Sequence, residues 1–110
     1  MANDTSASER PEKRAQWRAD IGVEVELRGR TARWCRLPLT NLSEKGFRVA
    51  VADHSRVGDR VLLRFPGLAQ LVGIVRWIDR GQMGCSFEQP LSPYVFEHIV
   101  RTLEAAQNRF

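Results

Sequence analysis

The chain has 110 residues, of which 43% are hydrophobic and 27% charged, and its net charge is +4. This length supports one domain with one core, and this composition is typical of soluble globular proteins and not of disordered ones. Only two of the 17 basic residues are lysines. Guanidinium groups pair in a bidentate manner with phosphates and guanine edges, although a GC-rich genome would explain the same arginine content. A charge of +4 is compatible with an anionic ligand but does not by itself indicate nucleic acid.

The sequence contains no signal for membrane insertion, export or metal binding. No apolar run reaches the length of a transmembrane helix, and the N-terminus is polar where a signal peptide needs an apolar stretch. We therefore expect a cytoplasmic protein without membrane insertion, whose Cys35 and Cys85 stay reduced. The cysteines and histidines are far apart and lack metal-ligand spacing. No nucleophile is paired with a base, so we expect no metal, no cofactor and no enzyme activity.

The chain begins with a polar, basic tail and continues with alternating segments. Residues 1–13 lack apolar periodicity, and we expect them to be disordered. From Ile21 onwards, apolar and polar residues alternate with period two, which is typical of strands with one buried face. The runs that predict strands are 21–27, 31–40, 47–51, 61–65, 71–78 and 83–87. These six runs, with Gly and Pro turns between them, predict an all-β fold, a six-stranded antiparallel barrel over about residues 21–88.

A different pattern follows the last strand and predicts one C-terminal helix over about residues 92–107. Ser92 is a good N-cap, and Pro93 fits the first helical position. Apolar residues then recur at helical spacing, at Phe96, Ile99, Val100 and Leu103. This face either covers the barrel or forms a dimer contact. We expect it to cover the barrel, because an uncovered strip on so small a domain would be an association patch.

Two short motifs are the most specific feature of the chain. The first is Arg14-Ala15-Gln16-Trp17-Arg18, and the second begins 27 residues later and is Asn41-Leu42-Ser43-Glu44-Lys45-Gly46. Each is common by itself, because basic arms are usually solvated and Asx turns with a following glycine occur in many loops. Together, and ahead of alternating strands, they match RxxxR and [D/N]xSxxG, the paired motifs of the PilZ domain, which this chain resembles. Arg10-x-x-x-Arg14 also satisfies RxxxR, but in the family the second arginine lies just before the first strand, so we prefer Arg14 and Arg18.

The resemblance extends over nearly the whole chain, from about Arg14 to Phe87. In the order known for the family, the two motifs are followed by Val57-Gly58-Asp59, Gly73-x-Val75-x-Trp77 and Gly84-x-x-Phe87. The resemblance therefore implies a stand-alone PilZ-type domain over residues 14–107, with the barrel and the C-terminal helix within it.

The resemblance to PilZ domains implies a receptor for the bacterial second messenger cyclic di-GMP. Family members hold this ligand between the RxxxR arm and the [D/N]xSxxG turn, over the mouth of the barrel. Carried onto this sequence, the ligand-binding residues are Arg14, Arg18, Asn41, Ser43 and Gly46. We expect the arm before Ile21 to be mobile when empty and ordered on binding, and to transmit the messenger level to an unidentified downstream protein. Asn41 stands where aspartate is commonest in the family, which removes one acceptor pattern for the guanine edge.

The residue types fit this ligand independently of the resemblance. Cyclic di-GMP presents two phosphates and two purines, and one arginine fork can meet both O6 and N7 of guanine. Asn41 and Ser43 supply short polar side chains next to exposed backbone amides. Gly46 permits a positive φ or a close backbone approach.

Two other functions fit the sequence less well. A PilZ-like adaptor that binds no nucleotide would not need both motifs. A small basic barrel that binds single-stranded nucleic acid would use aromatic side chains as a stacking platform, whereas the aromatic residues here fall mostly at inward positions of the alternation. We therefore expect no nucleic-acid partner.

Other conspicuous side chains have simpler interpretations. Trp34 and Trp77 lie in apolar runs, and we expect them in the core or in the barrel wall. Trp17 either stacks on a purine or anchors the arm to the barrel. Solvated strand or turn positions explain Arg48, Arg76 and Arg80.

Overall fold

The chain folds into a closed antiparallel barrel of six strands that is followed by one helix. The structure is a computed structural model that describes residues 16–51, 54–65 and 68–107, and for residues 19–22 it describes the backbone alone. The predicted fold class is confirmed. The strands are β1 (Gln16–Arg28), β2 (Trp34–Ser43), β3 (Gly46–Ala50), β4 (Arg60–Arg64), β5 (Leu71–Asp79) and β6 (Gln82–Phe87), and the helix is α1 (Pro93–Gln107).

Around the barrel the strand order is β1-β2-β3-β6-β5-β4, and β4 pairs with β1 to close it. Four of the pairs join consecutive strands, and the β3–β6 and β1–β4 pairs join strands that are distant in sequence. Closure gives each of the six strands a partner on both sides, which protects the sheet edges at which small β-proteins otherwise risk pairing with other chains.

The segment before β4, which contains the Val57-Gly58-Asp59 motif, is bonded to β5 and to the β1–β2 connection. Gly58 N donates to the Val75 carbonyl at 2.8 Å, and Val75 N donates to the Asp59 carbonyl at 2.9 Å. Arg30 Nη2 donates to Asp59 Oδ1 at 2.9 Å, and Arg56 N donates to Oδ2 of the same carboxylate at 3.0 Å. The hydrogen bond from Arg30 is the largest cause that lowers the pKa of Asp59. The Asp59 carboxylate therefore holds the segment before β4 against the β1–β2 connection.

The core consists of the inward-facing strand residues together with one face of α1. Leu63, Val75 and Phe87 are buried, as the alternation predicts. The buried core residues of the strands and the two short segments that follow β4 and β6 are Trp17, Val25, Leu27, Leu39, Leu42, Phe47, Val49, Val61, Leu63, Phe65, Val75, Met83, Cys85, Phe87 and Leu91.

Helix α1 covers the barrel, as its apolar face predicts. Val95 N donates to Ser92 Oγ at 3.2 Å, which is the expected N-cap. The four residues of the apolar face, all buried in the core, are Phe96, Ile99, Val100 and Leu103. Within the residues that the structure describes, no helix is both long and apolar enough to cross a membrane.

The start of the barrel differs from the prediction. Strand β1 begins at Gln16 instead of Ile21, and residues 16–18 pair with β2. The period-two pattern does not reveal this because the register of the β1–β2 pair shifts between Arg18 and Val23. Residues 16–20 therefore belong to the barrel wall and are not part of a mobile arm. The tail predicted over residues 1–13 lies outside the described residues.

Phe87→Ala should lower the free energy of unfolding by about 3–5 kcal/mol, which is typical of aromatic truncations in a core. The Phe87 ring is buried, and its centroid lies 5.3 Å from that of Phe47. Urea unfolding followed by circular dichroism measures the change. Tyr94→Ala is the matched control, because this ring is 88% exposed, and its effect should stay below about 0.5 kcal/mol. Equal effects of the two variants would contradict the core assignment.

Candidate ligand-binding site

An open pocket of about 390 Å³ lies on the outer face of the barrel, beside the β2–β3 turn. Five consecutive strands of the barrel line it, namely β1, β2, β3, β6 and β5. The resemblance implied a site over the mouth of the barrel, and the pocket lies instead on the outside of its wall. The lining residues are Gln16, Arg18, Asn41, Ser43, Lys45, Gly46, Phe47, Arg48, Arg76, Trp77, Gly84, Cys85 and Ser86.

The register between β1 and β2 brings three of the predicted site residues to this pocket. Residues that lie opposite each other in an antiparallel pair share a face of the sheet. Trp17 lies opposite Leu42, and both side chains are buried in the core. Because neighbours alternate, the Arg18–Asn41 pair and Ser43 lie on the outer face, where they line the pocket.

A β-bulge in β2 turns Asn41 outward. Between Leu39 and Asn41, β2 advances two residues while β3 advances one, so Thr40 is an extra residue. Regular alternation from the buried Leu39 would place Asn41 in the core, and the bulge re-aims it. Asn41 Nδ2 then donates to Gln16 Oε1 across the strand pair, at 3.0 Å.

Ser43 and Gly46 shape the turn between β2 and β3. Ser43 Oγ accepts hydrogen bonds from the backbone amides of Lys45 and Gly46, each at 3.2 Å. Gly46 lies against β6, where a Cβ would collide with the backbone carbonyl oxygen of Cys85. The glycine is therefore needed for a close strand approach, and its neighbour Ser43 holds the turn in place.

Trp77 reaches the pocket through a second bulge. Between Val75 and Trp77, β5 advances two residues while β6 advances one. The indole is 42% exposed and lies over Gly84, where a Cβ would collide with the ring. Of the two expected positions, the core and the barrel wall, Trp77 therefore has the second, and it lines the pocket there. Gly84 was the available signal, because a glycine within a strand often marks a close approach.

Arg48 and Arg76 also line the pocket, and a hydrogen bond from Nε holds each guanidinium. Arg48 Nε donates to Thr40 Oγ1 at 3.3 Å, and Arg76 Nε donates to Ser86 Oγ at 2.7 Å. Each such bond uses one of the N–H donors of the guanidinium and leaves the other donors to meet a ligand. Solvated positions explain these arginines from the sequence alone, because their sequence positions give no sign of the pocket.

The pocket is cationic. Its lining includes Arg18, Lys45, Arg48 and Arg76 and contains no acidic side chain within the described residues. Burial raises the pKa of the Cys85 thiol to about 12, so this group adds no negative charge near neutral pH. In the described part of the chain, no group of three or more His, Cys, Asp or Glu side chains could hold a metal ion. The arrangement can bind anions and stack a planar ring on Trp77.

Two other residues discussed above, Trp17 and Trp34, lie outside this pocket. Trp17 is 4% exposed and packs in the core, so it anchors β1 and does not stack on a ligand. Trp34 is a wall residue outside this pocket, with the Arg64 Cζ atom 3.8 Å from its ring centroid. Arg10 and Arg14 lie outside the described residues, so the preference for Arg14 and Arg18 over Arg10 and Arg14 stays a prediction.

Comparisons with known proteins give the family. The family model of the PilZ domain matches residues 10–105. The chain belongs to the PilZ domain family. Among solved structures, this PilZ domain is similar to the inhibitor of motility of Bacillus subtilis (MotI/DgrA), at 16% sequence identity and a TM-score of 0.53. The match covers 84% of this chain and 54% of that protein, so the chain spans about half of its length and the likeness concerns the fold. A comparison with curated proteins finds no significant match.

The two cysteines of this PilZ domain should differ in reactivity. The thiolate is the reactive form, and burial raises the pKa of Cys85 to about 12, whereas Cys35 is exposed. A chromogenic disulfide reagent at about pH 8 should therefore modify one thiol in the native protein and both in denaturant. Native Cys35→Ser protein should show no rapid modification. Rapid modification of that variant would show that Cys85 is accessible from the pocket.

Proposed function

We propose that this PilZ domain is a receptor for cyclic di-GMP and that the pocket beside the β2–β3 turn holds the ligand. PilZ domains are receptor and adaptor domains for this messenger and are not known as enzymes. One observation carries the proposal: a pocket whose described lining has four cationic side chains, no acidic side chain and an exposed indole lies beside the [D/N]xSxxG turn. These features match a ligand that has two phosphates and two guanine bases.

The phosphates and the guanine bases of the ligand need different contacts from the pocket. Arg48 and Arg76 have fixed guanidinium groups, which suits bidentate contacts to phosphate oxygens or to guanine O6 and N7. Trp77 offers a ring face on which a guanine can stack. Arg18 and Asn41 lie at the β1–β2 side of the pocket. There the Arg18 guanidinium and the Asn41 amide can bind a part of the ligand that Arg48, Arg76 and Trp77 do not contact.

Arg14 completes the proposed site from the segment that precedes β1. It lies two positions before Gln16, where β1 begins alongside the pocket. Because residues 16–20 are part of β1, the proposed change of order on binding concerns the residues before Gln16. The readout in this proposal is recognition of the ligand-bound domain by a downstream protein, in line with the adaptor role of the family.

Arg18→Ala should weaken cyclic di-GMP binding at least tenfold. A charge-assisted hydrogen bond contributes roughly 1.5–3 kcal/mol, and about 1.4 kcal/mol corresponds to a factor of ten. The melting temperature of the empty protein should change little, because the Arg18 side chain is exposed. Calorimetric titration measures the affinity, with GTP and a short oligonucleotide as controls for unspecific anion binding. Arg33→Ala is the matched control, since Arg33 is exposed and does not line this pocket.

Two further variants test the assignment of the arginine motif. Arg14→Ala should weaken binding as Arg18→Ala does, and Arg10→Ala should have a smaller effect. Loss of binding in Arg10→Ala but not in Arg18→Ala would assign the motif to Arg10 and Arg14. If the folded wild-type protein gives no heat of binding with cyclic di-GMP, the receptor proposal is overturned in favour of an adaptor that binds no nucleotide. If the protein binds the oligonucleotide more tightly than cyclic di-GMP, a nucleic-acid function is favoured.

Cyclic di-GMP should quench the indole fluorescence of the protein through Trp77. Trp17 is buried and Trp34 lies outside the pocket, so neither should respond. Trp77→Phe should abolish the quenching while it retains a ring for stacking. Trp77→Ala should weaken binding by about 1–3 kcal/mol, the usual contribution of a base–aromatic stack. Quenching that persists in Trp77→Phe would place the ligand elsewhere on the domain.

A further inference from the structure

We propose that Gln16 is a positioning residue that orients the side-chain amide of Asn41 toward the ligand. The inference rests on the proposed function, because the ligand is the group that Asn41 would meet. Gln16 lies between the two arginines of the RxxxR motif, at a position that the motif leaves unspecified.

An asparagine at this position has an orientation problem that an aspartate would not have. A carboxylate accepts hydrogen bonds at both of its oxygens, whereas an amide accepts at Oδ1 and donates at Nδ2. The exocyclic amino group of guanine is a donor. It needs an acceptor, so only one of the two orientations of the Asn41 amide can bind this amino group.

In the structure the Asn41 amide has that orientation in its contact with Gln16. Gln16 Oε1 accepts the hydrogen bond from Asn41 Nδ2 at 3.0 Å, so the donating end of the amide is directed at β1. The two residues are diagonal neighbours, because Gln16 lies opposite Ser43 and Arg18 lies opposite Asn41. Gln16 and Asn41 both line the pocket. Among the described residues none donates a hydrogen bond to Asn41 Oδ1, which is therefore the end of the amide that meets the ligand.

A double-mutant cycle separates this role from a direct contact between Gln16 and the ligand. In the wild-type background Gln16→Ala should weaken cyclic di-GMP binding by about threefold to tenfold, the effect of one neutral hydrogen bond. In the Asn41→Asp background the same change should weaken it by less than about twofold, because a carboxylate accepts in either orientation. Equal losses in both backgrounds, or no loss in either, would overturn the inference. Gln89→Ala, at an exposed glutamine outside this pocket, is the matched control and should bind as the wild type does.

A measurement on the empty protein tests the orientation without the ligand. In ¹⁵N-labelled protein, one Nδ2 proton of Asn41 should be shifted downfield by its hydrogen bond, and Gln16→Ala should remove the shift without lowering the melting temperature. An Asn41 amide signal that Gln16→Ala leaves unchanged would overturn the positioning role. Failure of the wild-type protein to bind cyclic di-GMP would instead overturn the receptor proposal, so the two failures are distinguishable.

Discussion

The burial of Trp17 opposite Leu42 is the constraint on which the pocket depends. Side chains alternate along a strand, so a slip of one residue would send Arg18 and Asn41 into the core. Truncation of a buried tryptophan costs roughly 3–5 kcal/mol, whereas a single polar contact such as the one between Asn41 and Gln16 contributes about 0.5–1.5 kcal/mol. Core packing therefore determines which face of β1 lines the pocket. Polar contacts such as the one between Asn41 and Gln16 then set the orientation of individual side chains on that face.

Two single-residue bulges then turn Asn41 and Trp77 outward, which regular strands would not do. With strict alternation Asn41 would follow Leu39 into the core, and Trp77 would follow Val75. The bulge in β2 turns Asn41 outward and places Thr40 where its hydroxyl holds Arg48. The bulge in β5 turns the indole outward on the far side of the same pocket. Irregular pairing at these two positions thus produces a polar, ring-bearing surface on a barrel whose interior stays apolar.

Local alternation and capping made most of the fold predictable, and the irregular pairings made the rest unpredictable. Strand β6 and helix α1 lie within one residue of their predicted bounds, since Ser92 marks the helix start. The first strand starts five residues early because its register shifts between Arg18 and Val23. The structure brings together those residues of the two motifs that it describes. The sequence does not reveal that Trp77 lines the same pocket. A charged or aromatic residue on a strand has the same sequence pattern whether it lies in a pocket or on a plain wall, and a bulge depends on the partner strand.

The turn that bounds the pocket is also bonded to the end of β6 and to the segment that leads into helix α1. The carbonyl of Glu44 accepts a hydrogen bond from Leu91 N at 2.8 Å, and the carbonyl of Lys45 accepts one from Phe87 N at 2.7 Å. Ser43 Oγ holds the same turn from within. A turn fixed from both sides has little conformational entropy left to lose, so more of the free energy of its contacts with a ligand is retained as affinity. Because Leu91 is buried next to the start of α1, the packing of the helix on the barrel helps to hold a pocket that the helix does not line.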